Sequence, residues 1–371
     1  MKYKLITVVG TRPELIRLSS IIKNLDVNFD HILIHTNQNF DKNLKHVFFK
    51  DLGIKKPKYD LNIKSNNAIE TISKIFIKIN EILDKEKPDA FFVLGDTNSS
   101  LSAIVAKKKK IPIFHYEAGN RCFDQRVPEE INRKLVDHIA DINLTYSNFA
   151  RENLLREGFA PDRTFNIGSP LGEVIQSNIK KINNSNILKK INLDEKDYFL
   201  VSFHRQENVD DPKRLKDFLL LLSAMLKKFN RTIIVSTHPR TEKKISMIKF
   251  KNNKKIKFLK PFGFFDYMKL QKSSIAVISD SGSISEEASY LSLNAISLRD
   301  TQERQEAMSE ATVIMSSLEE KEFMNNLNLC IKGMSENTII LDYKKMNISE
   351  KVSRIINSYI PYIKREVFKK Y

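Results

Sequence analysis

Short apolar runs alternate with amphipathic segments along the whole chain, and this alternation predicts strand–helix units. Runs rich in Val, Ile, Leu and Phe fit buried parallel strands, whereas apolar residues three and four apart fit helices. Strands are predicted at 4–9, 30–36, 91–94, 111–114, 141–146 and 164–167, then at 198–203, 231–237, 256–259, 275–280 and 295–298. Predicted helices include 41–51, 68–86, 318–335 and 347–368. The fold class is therefore α/β with parallel sheets.

The composition changes close to residue 170, after which the segment 179–196 is rich in Lys and Asn. A chain of 371 residues can form two α/β domains, each with its own core. We predict an N-terminal domain over residues 1–170 and a C-terminal domain over residues 171–371. The last predicted helix is expected to cross back to the first domain.

The net charge of +17 permits binding to nucleic acid or to an acidic surface. The lysines, however, lie at helix ends such as 107–110, without interleaved aromatic residues or a recognised nucleic-acid motif. We therefore expect no nucleic-acid partner. Cys122 and Cys330 cannot form a disulfide framework, which indicates a reducing compartment. No apolar run fits a signal peptide or a membrane span, so a cytoplasmic location without a membrane partner is expected.

The stretch 111–137 concentrates charged side chains between a strand and a helix that opens at Pro128. Glu117, Arg121 and Glu129 lie within it. In an open α/β sheet, the loops that leave the carboxyl ends of strands are where ligands bind. The stretch is therefore a candidate active site. The alternative is a solvated loop whose charges form surface ion pairs.

Asp96 follows another predicted strand, and capping of the next helix is the most common role of Asp in such a place. The strands that precede Asp96 and Glu117 are expected to be neighbours in the sheet. Asp96, Glu117 and Glu129 then converge from consecutive strand ends at one edge of the sheet. Three converging carboxylates are more than capping requires, and they indicate an acid/base site.

The first strand leads directly into Gly10-Thr11-Arg12-Pro13-Glu14. Thr11 and Glu14 predict a capping box, with Pro in the first turn of the helix. A helix N-terminus flanked by Arg12 and Arg17 suits an anionic group, and the alternative is a tight turn with surface arginines. The pattern is neither a GxGxxG fingerprint nor a P-loop, so a nicotinamide or NTP site of the usual kind is not expected.

Strand ends of the second half also carry polar groups. His204 and Arg205 follow its first strand, and His238 follows the next. A lone His is usually a satisfied polar residue, but His204 heads a domain that is expected to face the first domain across a cleft. His238 is interpreted as equally consistent with a structural and a ligand-facing role.

A second helix start follows the strand at 275–280. Ser283 and Glu286 predict a capping box, and Ser281, Gly282 and Ser283 leave backbone N–H groups uncovered. Such amides at a helix N-terminus bind phosphate oxygens. Glu287 is a candidate to accept two ribose hydroxyls, and its alternative is a solvated helix position.

Short motifs occur in a definite order: GTRPE at Gly10, GDT at Gly95, HYEAG with PEE at 115–130, HRxEN at His204, THPR at Thr237, DSG with EE at 280–287 and ER at Glu303. They resemble the non-hydrolysing UDP-N-acetylglucosamine 2-epimerases over about residues 4–315. The resemblance implies two Rossmann-like, doubly wound domains facing across a cleft, as in the glycosyltransferase-B architecture.

The resemblance also implies a UDP-sugar substrate and a set of site residues. Its catalytic positions match Asp96, Glu117, Glu129 and His204. Candidate substrate contacts are Arg12, Arg17, Arg121, Arg205, His238, Phe262, Ser281, Gly282, Ser283, Glu287 and Arg304. No metal and no cofactor is expected, and a homodimer is expected.

Within the family, EAGNRCFDQRVPEE and FGFFDY look most like a branch that handles 6-deoxy sugars. That branch interconverts UDP-2-acetamido-2,6-dideoxy-L-talose and UDP-N-acetyl-L-fucosamine for capsule or O-antigen polysaccharide. The chain departs from the family at Arg17, Gln206 and Gln305, where Lys, Arg and Pro are frequent. Gln38 matches a position of a regulatory UDP-sugar site in some members, but Asn37 replaces the usual Gly there.

Inversion at C2 of an N-acetyl sugar breaks a C–H bond that no adjacent carbonyl acidifies. Elimination of UDP to a glycal, followed by re-addition, avoids this difficulty and needs a base, an acid and cations for the diphosphate. Which of the four candidate groups removes the C2 proton is left open. The alternatives are an epimerase acting on UDP-N-acetylglucosamine and UDP-N-acetylmannosamine, the hydrolysing relative, and a UDP-sugar glycosyltransferase.

Overall fold

A computed structural model of the chain describes residues 2–37, 49, 51–63, 65, 67–237, 239–248, 250, 253–333 and 340–369. The chain divides into two compact units. The first unit contains the residues up to Val174 together with those from Leu341 onwards, and the second unit is Ile175–Ile340. The chain therefore leaves the first unit close to residue 170 and returns to it with its last helix.

The strands are short, and all ladder pairs are parallel. Within the described ranges they are β1 (Lys4–Val9), β2 (Asp30–His35), β3 (Tyr59–Asp60), β4 (Ala90–Leu94), β5 (Ile113–Tyr116), β6 (Ile142–Thr145), β7 (Thr164–Asn166), β8 (Tyr198–Ser202), β9 (Thr232–Ser236), β10 (Ile256–Leu259), β11 (Val277–Ser279), β12 (Ala295–Ser297) and β13 (Ile314–Met315). Every predicted strand is present. The two-residue strands β3 and β13 were not predicted.

The helices of the described ranges are α1 (Arg12–Asn28), α2 (Ala68–Glu86), α3 (Ala103–Lys108), α4 (Pro128–Ile139), α5 (Asn148–Arg156), α6 (Leu171–Ser177), α7 (Ile179–Asn183), α8 (Ile187–Ile191), α9 (Gln206–Val209), α10 (Pro212–Phe229), α11 (Pro239–Ser246), α12 (Phe264–Ser273), α13 (Ile284–Leu291), α14 (Gln305–Ser309), α15 (Glu320–Lys332) and α16 (Ile348–Tyr362). The helix predicted at 41–51 lies largely outside the described residues. Helix α16 packs against α1, where Ser353 Oγ donates a hydrogen bond to Asn24 Oδ1.

The order of the strands identifies both units as doubly wound. The first sheet has the order β3-β2-β1-β4-β5-β6-β7, and the second has the order β10-β9-β8-β11-β12-β13. In each sheet the direction of winding reverses beside the first strand of its unit, β1 or β8, which is the position where open α/β sheets bind ligands. The predicted fold of two Rossmann-like domains is confirmed.

Each sheet buries an apolar face under helices. In the first unit, Ile6, Val8 and Val93 pack with residues of α2, α3 and α4. In the second unit, β8 and β9 pack against α10 and α15, and the rings of Phe203 and Phe218 stack with their centroids 4.0 Å apart. These cores fix the strand ends that carry the candidate site residues.

Gly10 directly follows β1, at the point where the winding of the first sheet reverses. A Cβ atom at this position would lie 1.9 Å from Ser99 Oγ and 2.6 Å from Thr36 Oγ1. These two hydroxyl oxygens lie 2.8 Å apart and share a hydrogen bond. Only glycine therefore lets the β1–α1 turn approach the loops that follow β2 and β4 so closely.

Candidate active site

Glu14 connects the β1–α1 turn to the loop that follows β4. Its Oε2 accepts hydrogen bonds from the backbone N–H groups of Gly10, at 3.0 Å, and Thr11, at 2.8 Å. Its Oε1 accepts a hydrogen bond from Thr97 Oγ1 at 3.2 Å. The predicted capping box of Thr11 and Glu14 is confirmed. The same buried carboxylate therefore orders the turn and reaches the residue next to Asp96.

Asp96 is half-buried immediately after Gly95, at the carboxyl end of β4. Asn132 Nδ2 donates a hydrogen bond to its backbone carbonyl at 2.9 Å, and Arg133 pairs with its carboxylate. The N-cap of the following helical turn is Ser99. Asp96 is therefore held by α4, and it does not cap the next helix as the alternative interpretation proposed.

Glu117 follows β5 directly, because this strand runs over Ile113–Tyr116 rather than 111–114. Its φ of +68° lies in the left-handed region, which is uncommon for a residue with a side chain and concentrates at functional sites. Its Oε2 lies 3.6 Å from Arg17 Nη1 and accepts a hydrogen bond from Tyr146 at 3.3 Å. A Cβ atom on Gly95 would lie 3.4 Å from the same oxygen, so this carboxylate lies beside the backbone that carries Asp96.

The remaining charged residues of this stretch differ in exposure. Glu129 is half-buried in the first turn of α4. Arg121 is fully buried, and its guanidinium donates hydrogen bonds of 2.7 Å to Asp137 and to both carboxylate oxygens of Glu157. A substrate contact by Arg121 stays a prediction, and the burial of its side chain disfavours it.

Asp137 was not among the candidate site residues, although it anchors the loop. His115 Nδ1 lies 2.9 Å from Asp137 Oδ1, and His115 Nε2 lies 2.9 Å from the carbonyl oxygen of Gly95. Burial opposes ionisation of Asp137, but the bonds and charges of His115 and Arg121 outweigh it and lower the pKa of Asp137. Asp137 pairs with residues of the preceding strand and loop rather than with its own helix, so local spacing in the sequence did not indicate its role.

In the second unit, His204 pairs with Asp280, another residue that was not a candidate. His204 Nδ1 lies 2.9 Å from Asp280 Oδ1, and the backbone N–H groups of His204 and Arg205 donate to the same carboxylate at 2.8–3.1 Å. Burial opposes ionisation of Asp280, but the charge of His204 and these hydrogen bonds lower its pKa. The anionic partner therefore fixes both the ring and the backbone of His204.

The segment after β11 brings Ser281, Ser283 and Glu287 together. Ser281 Oγ and Ser283 Oγ lie 2.9 Å apart, and Ser283 Oγ donates to Glu287 Oε1 at 2.9 Å. The prediction that the N–H groups of Ser281 and Ser283 are uncovered is wrong, because they donate to Ser279 Oγ at 3.0 Å and to Ser281 Oγ at 3.3 Å. Gln271 Nε2 donates to the other oxygen of the buried Glu287 at 2.6 Å. Glu287 is therefore enclosed rather than solvated. Its predicted ribose contact stays a prediction.

The predicted capping box of Ser283 and Glu286 is wrong. Ser283 has helical backbone angles and makes no side-chain cap. Glu286 is instead fully buried and pairs with Arg304, which is itself only 1% exposed. Arg304 is thus committed to a carboxylate inside the unit, and its predicted contact with the diphosphate stays a prediction. A partner on a distant segment displaced the local capping pattern.

Other candidates occupy varied places. Gly282 contacts the Glu303 side chain so closely that a Cβ atom would lie 2.3 Å from Glu303 Oε1. Phe262 packs half-buried on the cluster around Tyr198. Arg12 is half-buried in the first turn of α1. His238 lies outside the described residues.

The described residues were also compared with the requirements of a metal site and of a membrane span. No group of three or more His, Cys, Asp or Glu side chains in these ranges is arranged to hold a metal ion. Every helix there also falls short of the length or the apolar character that crossing a membrane requires.

The sequence matches a known family over most of its length. Residues 23–357 match the family model for UDP-N-acetylglucosamine 2-epimerase. The chain is also 40% identical over 328 residues to the UDP-N-acetylglucosamine 2-epimerase of Methanocaldococcus jannaschii, a match that covers 86% of this chain and 90% of that protein. The chain belongs to the UDP-N-acetylglucosamine 2-epimerase family. The prediction that it is an isomerase of this family is confirmed.

Solved structures of this epimerase family share its fold. The UDP-N-acetylglucosamine 2-epimerase from Rickettsia bellii superposes with a TM-score of 0.94 at 46% identity, over 100% of both chains. The M. jannaschii enzyme in complex with UDP-GlcNAc and UDP superposes with a TM-score of 0.90 at 36% identity, over 96% of this chain and 99% of that chain.

Relatives of this epimerase family do not share one sugar. A protein of Pseudomonas aeruginosa that is 34% identical over 305 residues is a UDP-2,3-diacetamido-2,3-dideoxy-D-glucuronate 2-epimerase. This match covers 81% of the chain and 84% of the relative. The family therefore identifies the reacting carbon and the UDP group more firmly than it identifies the substituents of the sugar.

Proposed function

We propose that the protein inverts C2 of a UDP-2-acetamido sugar by eliminating UDP to a glycal and adding it back. The observation that carries this proposal is the pair of carboxylates, Asp96 and Glu117, at neighbouring strand ends beside the point where the first sheet reverses its winding. Each carboxylate is paired with an arginine, Arg133 or Arg17. Fixed carboxylates of this kind suit proton transfer at carbon.

The first unit offers more than one acid/base group. Glu117 is 9% exposed and bonded to Tyr146, whereas Asp96 is more exposed and bonded to α4. Different surroundings let two carboxylates take different protonation states during one reaction. We assign proton removal and proton return at C2 to this pair, with Glu129 as a third candidate from the first turn of α4.

The second unit supports the UDP side of the reaction. Asp280 Oδ1 lies 2.9 Å from His204 Nδ1, and a proton held on Nδ1 leaves Nε2 as the nitrogen that exchanges a proton with a ligand. Ser281, Gly282 and Ser283 follow the adjacent strand, and Arg205 lies next to His204. We propose that this segment binds the diphosphate and that His204 exchanges a proton with the departing group.

For the sugar, we propose UDP-2-acetamido-2,6-dideoxy-L-talose and its C2 epimer UDP-N-acetyl-L-fucosamine, in the synthesis of surface polysaccharide. The loop EAGNRCFDQRVPEE supports this choice, because it carries two of the acid/base candidates, Glu117 and Glu129, and resembles the branch that handles 6-deoxy sugars. The second candidate is UDP-N-acetylglucosamine, which is supported by the name and the bound ligand of the M. jannaschii relative.

The test is to incubate the purified protein with each UDP-sugar in deuterated water, without any acceptor, and to follow C2 by proton NMR. We expect deuterium at C2 and the epimeric UDP-sugar as the product, with faster turnover of the 6-deoxy substrate. Faster turnover of UDP-N-acetylglucosamine would select the second candidate. Steady accumulation of UDP and free hexosamine would identify a hydrolysing enzyme. An absence of C2 exchange with both sugars would refute the proposal.

A further inference from the structure

We propose that Arg133 is a positioning residue that holds the Asp96 carboxylate in its reactive orientation, and that Glu130 in turn fixes Arg133. This inference rests on the proposed function, because it assigns Asp96 a role in the reaction at C2. Neither Arg133 nor Glu130 was among the candidate site residues.

Arg133 joins two carboxylates through the two ends of its guanidinium. Its Nη1 donates to Glu130 Oε2 at 2.7 Å, and its Nη2 donates to Asp96 Oδ2. The Arg133 side chain is only 4% exposed, so the charge is held inside the unit. A planar guanidinium between two fixed acceptors restricts rotation of both carboxylates, which a flexible ammonium group does not do.

The backbone around Asp96 is held without Arg133. The carbonyl oxygen of Gly95 lies 2.9 Å from His115 Nε2, and the carbonyl oxygen of Asp96 accepts a hydrogen bond from Asn132 at 2.9 Å. These bonds secure the strand end. Arg133 supplies what these backbone bonds lack, which is control of the side-chain carboxylate.

Glu130 is a suitable anchor because its own position is fixed. It is 1% exposed, and its oxygens accept backbone N–H bonds from Cys122 at 3.1 Å and Phe123 at 3.3 Å. Burial opposes its ionisation, but the hydrogen bond from Cys122 and the charge of Arg133 lower the pKa of Glu130. The anchor is thus an ionised group bound to the loop between β5 and α4.

The rival explanation is that Arg133 only neutralises Glu130 and stabilises the fold. Under that explanation, the orientation of Asp96 does not affect the reaction. Weakening the ion pairs of Arg133 then lowers the melting temperature without changing turnover by the folded enzyme. Under the proposal, loss of the guanidinium fork lowers kcat, whereas binding of the UDP-sugar and the KM stay unchanged. The two explanations therefore predict different measurements.

The test compares Arg133→Lys and Arg133→Gln with the wild-type enzyme. Arg133→Lys retains the charge beside Glu130, so it remains measurable even if Arg133→Gln fails to fold. A misplaced reacting group costs about 100-fold per ångström, so we expect kcat to fall about tenfold or more in Arg133→Lys. The KM should stay within about twofold. The melting temperature is expected to fall in both variants, because Arg133 is only 4% exposed and pairs with two carboxylates, so kcat is the measurement that decides. Arg133→Gln should lose more activity than Arg133→Lys.

Arg126→Lys is the matched control, because Arg126 lies in the same stretch, is exposed and pairs with Asp124. It should retain wild-type kcat. A kcat of Arg133→Lys within about twofold of wild type, with or without a lower melting temperature, would overturn the assignment. The proposed function is tested separately, since it fails if wild-type enzyme shows no exchange at C2.

Discussion

Replacing Glu14 by Gln should change how stability depends on pH, and this is a direct test of the turn that follows β1. Glu14 is 3% exposed. Burial raises its pKa from 4.5 to about 7, although hydrogen bonds from Thr11, Gly10 and Thr97 act in the opposite direction. The folded state therefore holds a proton on Glu14 at pH values where the unfolded chain has already lost it.

The sign and size of the effect follow from linkage. The pKa of Glu14 is higher in the folded state than in the unfolded chain. The contribution of protonated Glu14 to the free energy of unfolding is therefore fully present below pH 4.5 and is lost as the pH rises to about 7. At roughly 1.4 kcal/mol for each pKa unit, the loss amounts to about 3 kcal/mol. Gln does not ionise, so Glu14→Gln lacks this loss. For a unit of this size, the difference in melting temperature between the two proteins should change by about 6–12 °C over the range.

The assay is thermal unfolding of wild type and Glu14→Gln at closely spaced pH values between about 4.5 and 8, the range set by the two pKa values. The wild type should lose melting temperature relative to the variant as the pH rises. Glu350→Gln is the control, since Glu350 is an exposed partner of Arg354 on α16, and its difference from wild type should stay flat. The reasoning would be refuted if the wild type gained melting temperature relative to Glu14→Gln as the pH rises. That result would show that the hydrogen bonds donated to Glu14 lower its pKa by more than burial raises it.

Three further predictions concern the site and its supports. Asp96→Asn should lower kcat by about 100-fold or more with unchanged melting temperature, and near-normal C2 exchange would contradict its acid/base role. Arg304→Ala should lower the melting temperature, because it removes the arginine partner of the buried Glu286 carboxylate, and breaking a buried ion pair costs about 3–5 kcal/mol. If Arg304 also contacts the diphosphate, the KM should rise as well. A higher KM with an unchanged melting temperature would contradict the stabilising role of this buried pair. Gly119→Ala should destabilise strongly, since its Cβ would lie 2.1 Å from the Ala150 carbonyl oxygen at a φ of +81°, and unchanged unfolding would contradict this.

The fold was predictable because its signals are local. Parallel strands buried on both faces appear as short apolar runs, and the capping box of Thr11 and Glu14 depends on residues three positions apart. The neighbouring positions of Asp96 and Glu117 followed from the usual order of strands in such sheets. The predicted start of β5 was two residues too early, since the strand begins at Ile113, directly after Pro112, which has no N–H group to donate to the ladder.

The supports of the site were not predictable in the same way. Asp280 lies 76 positions after His204, and no local pattern connects them. The Ser283 and Glu286 pattern is present in the sequence, yet Arg304 takes Glu286 as its partner. Burial of a complete guanidinium, as at Arg121, also depends on tertiary contacts. Whether a charged residue forms a buried structural pair therefore depends on partners that are distant in the sequence.

The two units fix their first strands by the same device and with opposite electrostatic results. Glu14 accepts the consecutive N–H groups of Gly10 and Thr11 after β1, and Asp280 accepts those of His204 and its neighbour after β8. Both carboxylates are buried, but Glu14 receives bonds from neutral amides and hydroxyls, whereas Asp280 also pairs with an imidazole that can carry charge. Burial therefore prevails at Glu14 and raises its pKa, while at Asp280 the partner prevails and lowers it. This difference suits Asp280 to orient His204 for the proton transfer that we propose, and leaves Glu14 to order a turn.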